Sequence, residues 1–145
     1  MFSKTCQYAL QAILYIGARS LENRNVGLKE IAESQEIPSH FLSKILQDLV
    51  KRGVLLSIKG PNGGFSFQTS PKKLKLIKIV ELIDGTSIWD RCGIGLKSCS
   101  DQKPCPVHLE FKELKAKIKD MLTNKSVADL ASDINSGMAI ISFTK

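Results

Sequence analysis

The sequence predicts a mainly α fold with a small β-hairpin, arranged as a winged helix-turn-helix DNA-binding domain followed by a long dimerisation helix. Two short helical patterns are joined by a tight turn at residues 35–37, and a glycine-rich turn at 60–64 separates two strand-like runs. Apolar residues then recur every three or four positions over residues 107–122. With 145 residues, 43% of them hydrophobic, the chain is long enough for one ordinary domain.

The first three helices are predicted from apolar periodicity. The first covers residues 3–19 with Ser3 as its cap, and after a polar loop at 21–26 the second covers residues 28–34. The third covers residues 38–52 and stops at Gly53, where a left-handed backbone is needed. It has the strongest periodicity in the chain, and its predicted buried stripe consists of Phe41, Leu42, Ile45, Leu46, Leu49 and Val50.

The opposite face of the third helix is polar. Taken alone, such a face is typical of a solvated surface. In a helix-turn-helix, however, the second helix of the motif lies in the major groove of DNA, so these side chains are predicted to contact the bases. The candidates on this face are Ser39, His40, Ser43, Lys44 and Gln47.

A β-hairpin is predicted directly after the helix-turn-helix, with strands at residues 55–59 and 65–68. The turn contains Asn-Gly, a strong hairpin signal, and its glycines let the backbone approach a phosphate closely. We predict a DNA-contacting wing rather than a plain tight turn, and the formal net charge of +7 also favours a polyanionic partner. The candidate wing contacts are Lys59, Gly60, Asn62 and Gly63.

Residues 92–108 concentrate three of the four cysteines and one of the two histidines. Six residues separate Cys92 from Cys99, five separate Cys99 from Cys105, and two separate Cys105 from His108. Thiolates and imidazole are the ligands that zinc and iron–sulfur clusters take. We therefore predict a metal or cluster site at these four residues. The alternatives are a disulfide or scattered core thiols.

The second half of the chain is predicted to supply the dimer contact. A helix that stops at residues 84–85 is expected to close over the first helix. The next helix, at 107–122, has a heptad-like seam that favours a two-fold homodimer on a palindromic operator, although packing on its own domain fits the pattern too. A short helix capped by Ser126 and Asp129 follows, and the apolar residues 138–145 could dock or form an edge strand. The seam consists of Val107, Phe111, Leu114, Ile118 and Met121.

These patterns divide the chain into a winged domain at 1–85, a cysteine-rich loop at 86–106 and a dimerisation helix with a C-terminal segment at 107–145. No convincing signal peptide and no apolar run of membrane-spanning length are present, so we expect a cytoplasmic protein without a membrane partner. The chain lacks a nucleophile motif and a phosphate-cradling loop before a helix, so we do not expect an enzyme.

The order of these features resembles the Rrf2 family of bacterial winged-helix transcriptional regulators, which includes the IscR-like and NsrR-like iron–sulfur sensors. The resemblance covers the chain to about residue 132, and the wing together with the cysteine loop makes it specific. The matching stretches are YALQAILYI at 8–16, LKEIAES at 28–34, IPSHFLSKILQDLVKRGVLLSIKGPNGGF at 37–65, IVELIDG at 79–85 and the four candidate ligands.

The resemblance implies a homodimer in which each loop holds a cluster against the partner's first helix, and in which the cluster state alters DNA binding. In the IscR-like branch a histidine placed as His108 is here completes a [2Fe–2S] site. In the NsrR-like branch an acidic residue is the fourth ligand of a [4Fe–4S] site, but Gln7 stands in that place. This favours [2Fe–2S], although the first cysteine gap is one residue longer than in the IscR-like pattern. Zinc, [4Fe–4S] and a cluster-free regulator are the alternatives.

Overall fold

The computed structural model describes residues 1–141, apart from the side chain of Leu21. Within these residues it contains six α-helices and one two-stranded antiparallel sheet, which confirms the predicted mainly α fold with a β-hairpin. Short 3₁₀ turns lie at Ser20–Glu22 and Thr86–Trp89. The elements in chain order are α1 (Lys4–Arg19), α2 (Leu28–Gln35), α3 (Ser39–Lys51), β1 (Leu55–Ile58), β2 (Gly64–Phe67), α4 (Leu76–Asp84), α5 (His108–Asn124) and α6 (Val127–Asn135).

Helix α1 lies at the centre of the molecule and contacts α2, α3, α4 and α6. Its start is capped as predicted, because the Ser3 hydroxyl accepts a hydrogen bond of 3.0 Å from the Cys6 backbone N–H. The Ser3 backbone N–H also donates to Asp84 at 2.9 Å, which ties the start of α1 to the end of α4. The predicted packing of the fourth helix over the first is therefore confirmed. The fully buried positions of α1 include Cys6, Ala9, Ala12 and Ile13.

The helix-turn-helix is formed by α2 and α3. Glu36 takes a left-handed backbone (φ 54°) and thereby turns the chain after α2, and Ile37 fills the space beneath the turn at 3% exposure. The interior face of α3 is centred on Leu42, Leu46 and Leu49, none of which is exposed.

The prediction that Phe41 belongs to the buried stripe of α3 is wrong. Its side chain is 53% exposed. Ile45 lies one helical turn further along the same face and is only 7% exposed, so helical periodicity does not distinguish the two positions, and the elements that pack beside α3 decide which of them is covered. Phe41 instead lines an open groove of about 420 Å³ together with Tyr8 of α1 and Ile83 of α4.

The wing is formed by β1 and β2, which pair from Leu55 opposite Phe67 to Ile58 opposite Gly64. Val26, in the loop before α2, adds two backbone hydrogen bonds of 2.9 and 2.8 Å to Phe65, so the wing is anchored to the helix-turn-helix. Gly64 makes this approach possible. A Cβ atom at that position would lie 2.6 Å from the Val26 carbonyl oxygen, and the backbone there has φ +136°.

The C-terminal helix α6 packs on α1 and completes the core. Val127 and Ala131 are buried against α1 at Gly17, where an added Cβ would lie 2.8 Å from the Val127 methyl group. The predicted cap is confirmed, since Ser126 and Asp129 bond to each other's backbone N–H in a capping box. The division of the chain after residues 85 and 106 remains a prediction. The hydrophobic core contains residues from both 1–85 and 107–145.

Helix α5 begins at His108, and Val107 occupies the position before it. Of the apolar end at 138–145, residues 142–145 lie outside the described residues, and residues 138–141 form neither helix nor strand.

Among the described helices, none combines the length and the apolar character needed to cross a membrane.

Candidate DNA-binding surface and cysteine loop

The polar face of α3 lies on the surface. Ser39, His40, Lys44 and Gln47 are exposed, and Ser43 is half-buried. The amide of Gln47 donates to the Ser43 hydroxyl at 3.2 Å, as residues four positions apart on one helix face can do. Hydroxyl, amide, imidazole and ammonium groups at the start of this helix are chemically suited to base edges and phosphates.

The tip of the wing is a tight glycine turn that exposes Lys59, Gly60 and Asn62. Gly60 has a positive φ of +107°, and the Gly63 N–H donates to its carbonyl at 2.9 Å. A Cβ at Gly63 would lie 2.1 Å from the Ile58 carbonyl oxygen, so no side chain fits there. The tip is therefore narrow and presents backbone and one ammonium group to solvent.

Asn25 holds the wing in place and was not predicted to do so from the sequence. The Asn25 side-chain amide donates to the Asn62 carbonyl at 3.0 Å, which fixes the tip to the loop before α2. Beside it, the Arg24 guanidinium contacts both oxygens of Glu30 at 3.2 and 2.8 Å, and this pairing, reinforced by Glu22, raises the pKa of Arg24. Contacts across 37 residues leave no local signal in the sequence.

The four cysteines are free thiols with different surroundings. Cys92 is half-buried at the start of the loop, where the backbone N–H groups of Ile94 and Leu96 lower the pKa of its thiol. The Cys105 side chain lies within hydrogen-bonding reach of Cys92 and lowers this pKa further. Cys92 and Cys105 therefore form one neighbouring pair of candidate ligands.

Cys99 and His108 form the second pair, with the Cys99 Sγ 3.3 Å from the His108 Nδ1. The His108 ring is only 7% exposed, and its Nε2 lies 2.8 Å from Asp101 Oδ1. The Lys112 ammonium donates to both Asp101 oxygens at 2.8 and 3.0 Å. Lys112 first, and His108 second, lower the pKa of the Asp101 carboxyl to about 2, so it is ionised at neutral pH.

Three thiols and one imidazole fit an iron–sulfur group or a zinc ion in their chemistry. In the part of the chain that the structure describes, no three or more His, Cys, Asp or Glu side chains converge on a single metal-ion position. Asp101, which contacts His108, and Lys112, which contacts Asp101, were not predicted as site residues from the sequence.

Some residues of the predicted dimer seam on α5 pack within the chain, and others are exposed. Phe111 packs on the cysteine loop, since a Cβ at Gly93 would lie 2.2 Å from its ring, and Ile118 packs against the core. Leu114 and Met121 are 52% and 50% exposed, and Val107 is half-buried. The assignment of this seam to a dimer contact stays a prediction.

A helix-turn-helix with an anchored wing and a long additional helix defines the winged-helix class of regulators. The chain belongs to the Rrf2 family, because residues 2–133 match its model, which is described as an iron-dependent transcriptional regulator. It is 38% identical over 132 residues to a protein of Aquifex aeolicus (strain VF5) that is provisionally described as an HTH-type transcriptional regulator, with 90% of each chain covered.

A further relative is the HTH-type transcriptional regulator IscR of Vibrio parahaemolyticus, 27% identical over 127 residues, with 88% of this chain and 74% of that one covered. The fold is similar to that of CymR, the global cysteine regulator of B. subtilis (TM-score 0.72, 22% identity, 91% and 96% coverage). It is similar also to T. potens IscR (TM-score 0.70, 21% identity, 97% and 92% coverage). The protein is thus a transcriptional regulator of the Rrf2 family.

Proposed function

We propose that this regulator is a homodimer whose affinity for a palindromic operator is controlled by an iron–sulfur cluster held by Cys92, Cys99, Cys105 and His108. The observation that carries the proposal is the second ligand pair, in which a buried imidazole presents Nδ1 to the Cys99 sulfur at 3.3 Å. The cluster, when bound, supplies a centre that responds to cluster supply, redox state or nitric oxide.

The ligand set favours [2Fe–2S] over [4Fe–4S]. Three thiols and one imidazole supply four protein ligands, which is the number that the two irons of a [2Fe–2S] cluster take. Gln7 does not compete for the fourth position, since an amide is a poor iron ligand and its Nε2 donates to the Phe2 carbonyl at 3.0 Å. A [2Fe–2S] site completed by His108 is therefore the form that we propose.

The loop is connected to the DNA-binding elements through α5. His108, a proposed ligand, is the first residue of α5. About two turns further along the helix, the Lys115 ammonium donates to the Arg91 carbonyl in the loop at 2.5 Å. Helix α5 contacts α4, and α4 contacts α1. A loop held by four ligands restrains the start of α5 differently from a free loop, and this difference can reach the two recognition helices of a dimer.

For DNA, the proposed contacts are the exposed face of α3 in the major groove and the wing on the backbone. Lys59 offers charge to a phosphate, and the side chains of Ser43 and Lys44 offer donors to base edges. The full set is Ser39, His40, Ser43, Lys44 and Gln47 on α3, with Lys59, Gly60, Asn62 and Gly63 on the wing.

The experiment compares anaerobically prepared wild type with Cys99→Ala. An operator is first selected from a random duplex library, and then iron, sulfide and operator affinity are measured for both proteins. We expect the wild type to hold a cluster and Cys99→Ala to hold little, with different affinities. Cys6→Ala is the matched control, because Cys6 is fully buried in α1 and outside the loop, so it should retain the cluster.

Two results would contradict the proposal. Equally little iron in wild type and Cys99→Ala after reconstitution would show that these residues do not hold a cluster. Identical operator affinity despite different iron content would show that the cluster does not control DNA binding.

A second candidate is a cluster-free regulator whose loop thiols respond directly, or a zinc-stabilised module. The observation that favours direct thiol chemistry is the lowered pKa of Cys92, with Cys105 within reach. The absorption spectrum separates these alternatives, because a zinc or apo protein is colourless and a clustered protein is reddish-brown.

A further inference from the structure

The two ring nitrogens of His108 have different partners, and the partners assign the proton. Asp101 Oδ1 lies 2.8 Å from Nε2, and an ionised carboxylate can only accept a hydrogen bond. Nε2 must therefore carry the hydrogen when the ring is neutral. On the other side of the ring, the Nδ1 lone pair then faces the Cys99 sulfur at 3.3 Å.

Asp101 is itself held in place. Its carboxylate is 67% exposed and would rotate freely on a surface loop, but the Lys112 ammonium of α5 donates to both of its oxygens. Lys112 follows His108 by four residues, so it stands one helical turn along the same face. Helix α5 thus carries both His108 and the Lys112 ammonium, which holds Asp101 in place.

We propose that Asp101, anchored by Lys112, is a positioning residue that fixes His108 with its hydrogen on Nε2 and presents Nδ1 to the cysteine loop as the ligating nitrogen. The ligating role rests on the proposed function, since it names the atom through which the cluster would be held. Histidines that bind metals commonly donate their second ring N–H to a carboxylate, which sets the tautomer and the ring orientation. Here Asp101 contacts one nitrogen of the His108 ring, and the Cys99 sulfur contacts the other.

The ring orientation is tested on the cluster-free protein by ¹H–¹⁵N nuclear magnetic resonance of uniformly labelled samples. The chain has two histidines, so His40→Gln assigns the His108 signals. At about pH 8.5, above the ordinary histidine pKa, we expect a protonated Nε2, an unprotonated Nδ1 and an Nε2 proton that exchanges slowly with water.

Three variants isolate the role of Asp101. Asp101→Ala should lose the slowly exchanging proton, because the ring then has no acceptor at Nε2. Asp101→Asn should largely retain it, since the amide oxygen can accept the same hydrogen bond. Asp90→Ala is the control, because Asp90 lines the same cavity beside His108 and should leave the signal unchanged. Circular dichroism of each variant establishes that the fold is intact.

The ligating atom is tested on the reconstituted protein with histidine labelled at one ring nitrogen. We expect strong magnetic coupling of the reduced cluster to ¹⁵Nδ1 and weak coupling to ¹⁵Nε2. Asp101→Ala should also release iron to a chelator about tenfold faster than wild type, with Asp101→Asn between them.

The outcomes separate this inference from the proposed function. A proton on Nδ1 in the wild type, an unchanged slow proton in Asp101→Ala, or strong coupling to ¹⁵Nε2 would overturn the inference. Failure of the wild type to take up any cluster would overturn the proposed function alone, and the exchange measurement would still decide the orientation of His108.

Discussion

At the scale of single residues, the thiols of Cys6 and Cys92 differ because of their surroundings. Cys6 is fully buried in α1, and this burial, together with the nearby Asp84 carboxylate, raises the pKa of its thiol to about 12. Cys92 is half-buried, and backbone N–H groups that stabilise its thiolate lower its pKa. Since the thiolate is the reactive form, the two cysteines should differ in reactivity.

We expect iodoacetamide to alkylate Cys92 first and Cys6 last in the cluster-free protein at neutral pH, because Cys6 combines a raised pKa with complete burial. Mass spectrometry of proteolytic fragments, sampled over time, measures each rate. Concentrated urea is the control, and all four thiols should then react at similar rates. Alkylation of Cys6 as fast as Cys92 in the folded protein would show that the surroundings described here do not control reactivity.

At the scale of elements, the close approach of α1 and α6 depends on Gly17. An added Cβ there would lie 2.8 Å from a Val127 methyl group in the core. Leucine is the better helix former by roughly 0.8 kcal/mol, so a loss of stability in Gly17→Leu must come from packing.

We expect Gly17→Leu to lower the free energy of unfolding by at least about 1 kcal/mol, as overpacked cores do. The same residue is introduced in the matched control Gln7→Leu, on an exposed position of α1, which should change stability by less than about 0.5 kcal/mol. Urea denaturation followed by circular dichroism measures both. Equal stability of the two variants would mean that α6 does not dock on α1 as described.

The wing and α3 are expected to affect DNA binding in different ways. Lys59→Ala should weaken binding to specific and random duplexes alike, and it should lower the slope of log K against log salt by about one, because a phosphate contact is lost. Ser43→Ala and Lys44→Ala should instead change the base preference, since we propose that these side chains contact base edges in the major groove.

Fluorescence anisotropy at several salt concentrations measures these effects. Lys125→Ala removes the same charge at the end of α5, away from the proposed DNA surface, and should leave the salt slope nearly unchanged. Equal losses on specific and random duplexes for every α3 variant would refute the assignment of α3 as the recognition helix.

At the scale of the whole molecule, α5 leaves part of its apolar surface uncovered. Leu114 and Met121 are about half exposed, whereas Leu122 on the neighbouring face is 2% exposed. A second copy of the chain would bury the exposed part, and a two-fold dimer would place two recognition helices on a palindromic site.

We expect Leu114→Asp to make the protein monomeric, because an unpaired carboxylate at the contact costs on the order of several kcal/mol. Leu109→Asp is the matched control, since Leu109 is 67% exposed on the same helix but faces about 140° away from Leu114. Sedimentation velocity measures the oligomeric state of both variants. A Leu114→Asp protein with the sedimentation coefficient of wild type would exclude this seam as the interface.

The elements of the DNA-binding half were determined by the sequence itself. Helix α2, predicted at 28–34, runs over Leu28–Gln35, and the first strand, predicted at 55–59, runs over Leu55–Ile58. The Ser3 and Ser126 caps were also predicted correctly. Helical periodicity, capping and glycine turns act over a few neighbouring residues, so they are readable without the fold. The clustering of candidate ligands in one loop is visible for the same reason.

Only the tertiary structure decided which distant groups meet. The exposure of Phe41 depends on where α1 and α4 lie beside α3, and the docking of α6 depends on the space left at Gly17. The grouping of Cys99 with His108, and the support of that ring by Asp101 and Lys112, depend on how the loop folds back onto α5. Such contacts arise from the packing of whole elements, and side-chain spacing along one chain does not encode them.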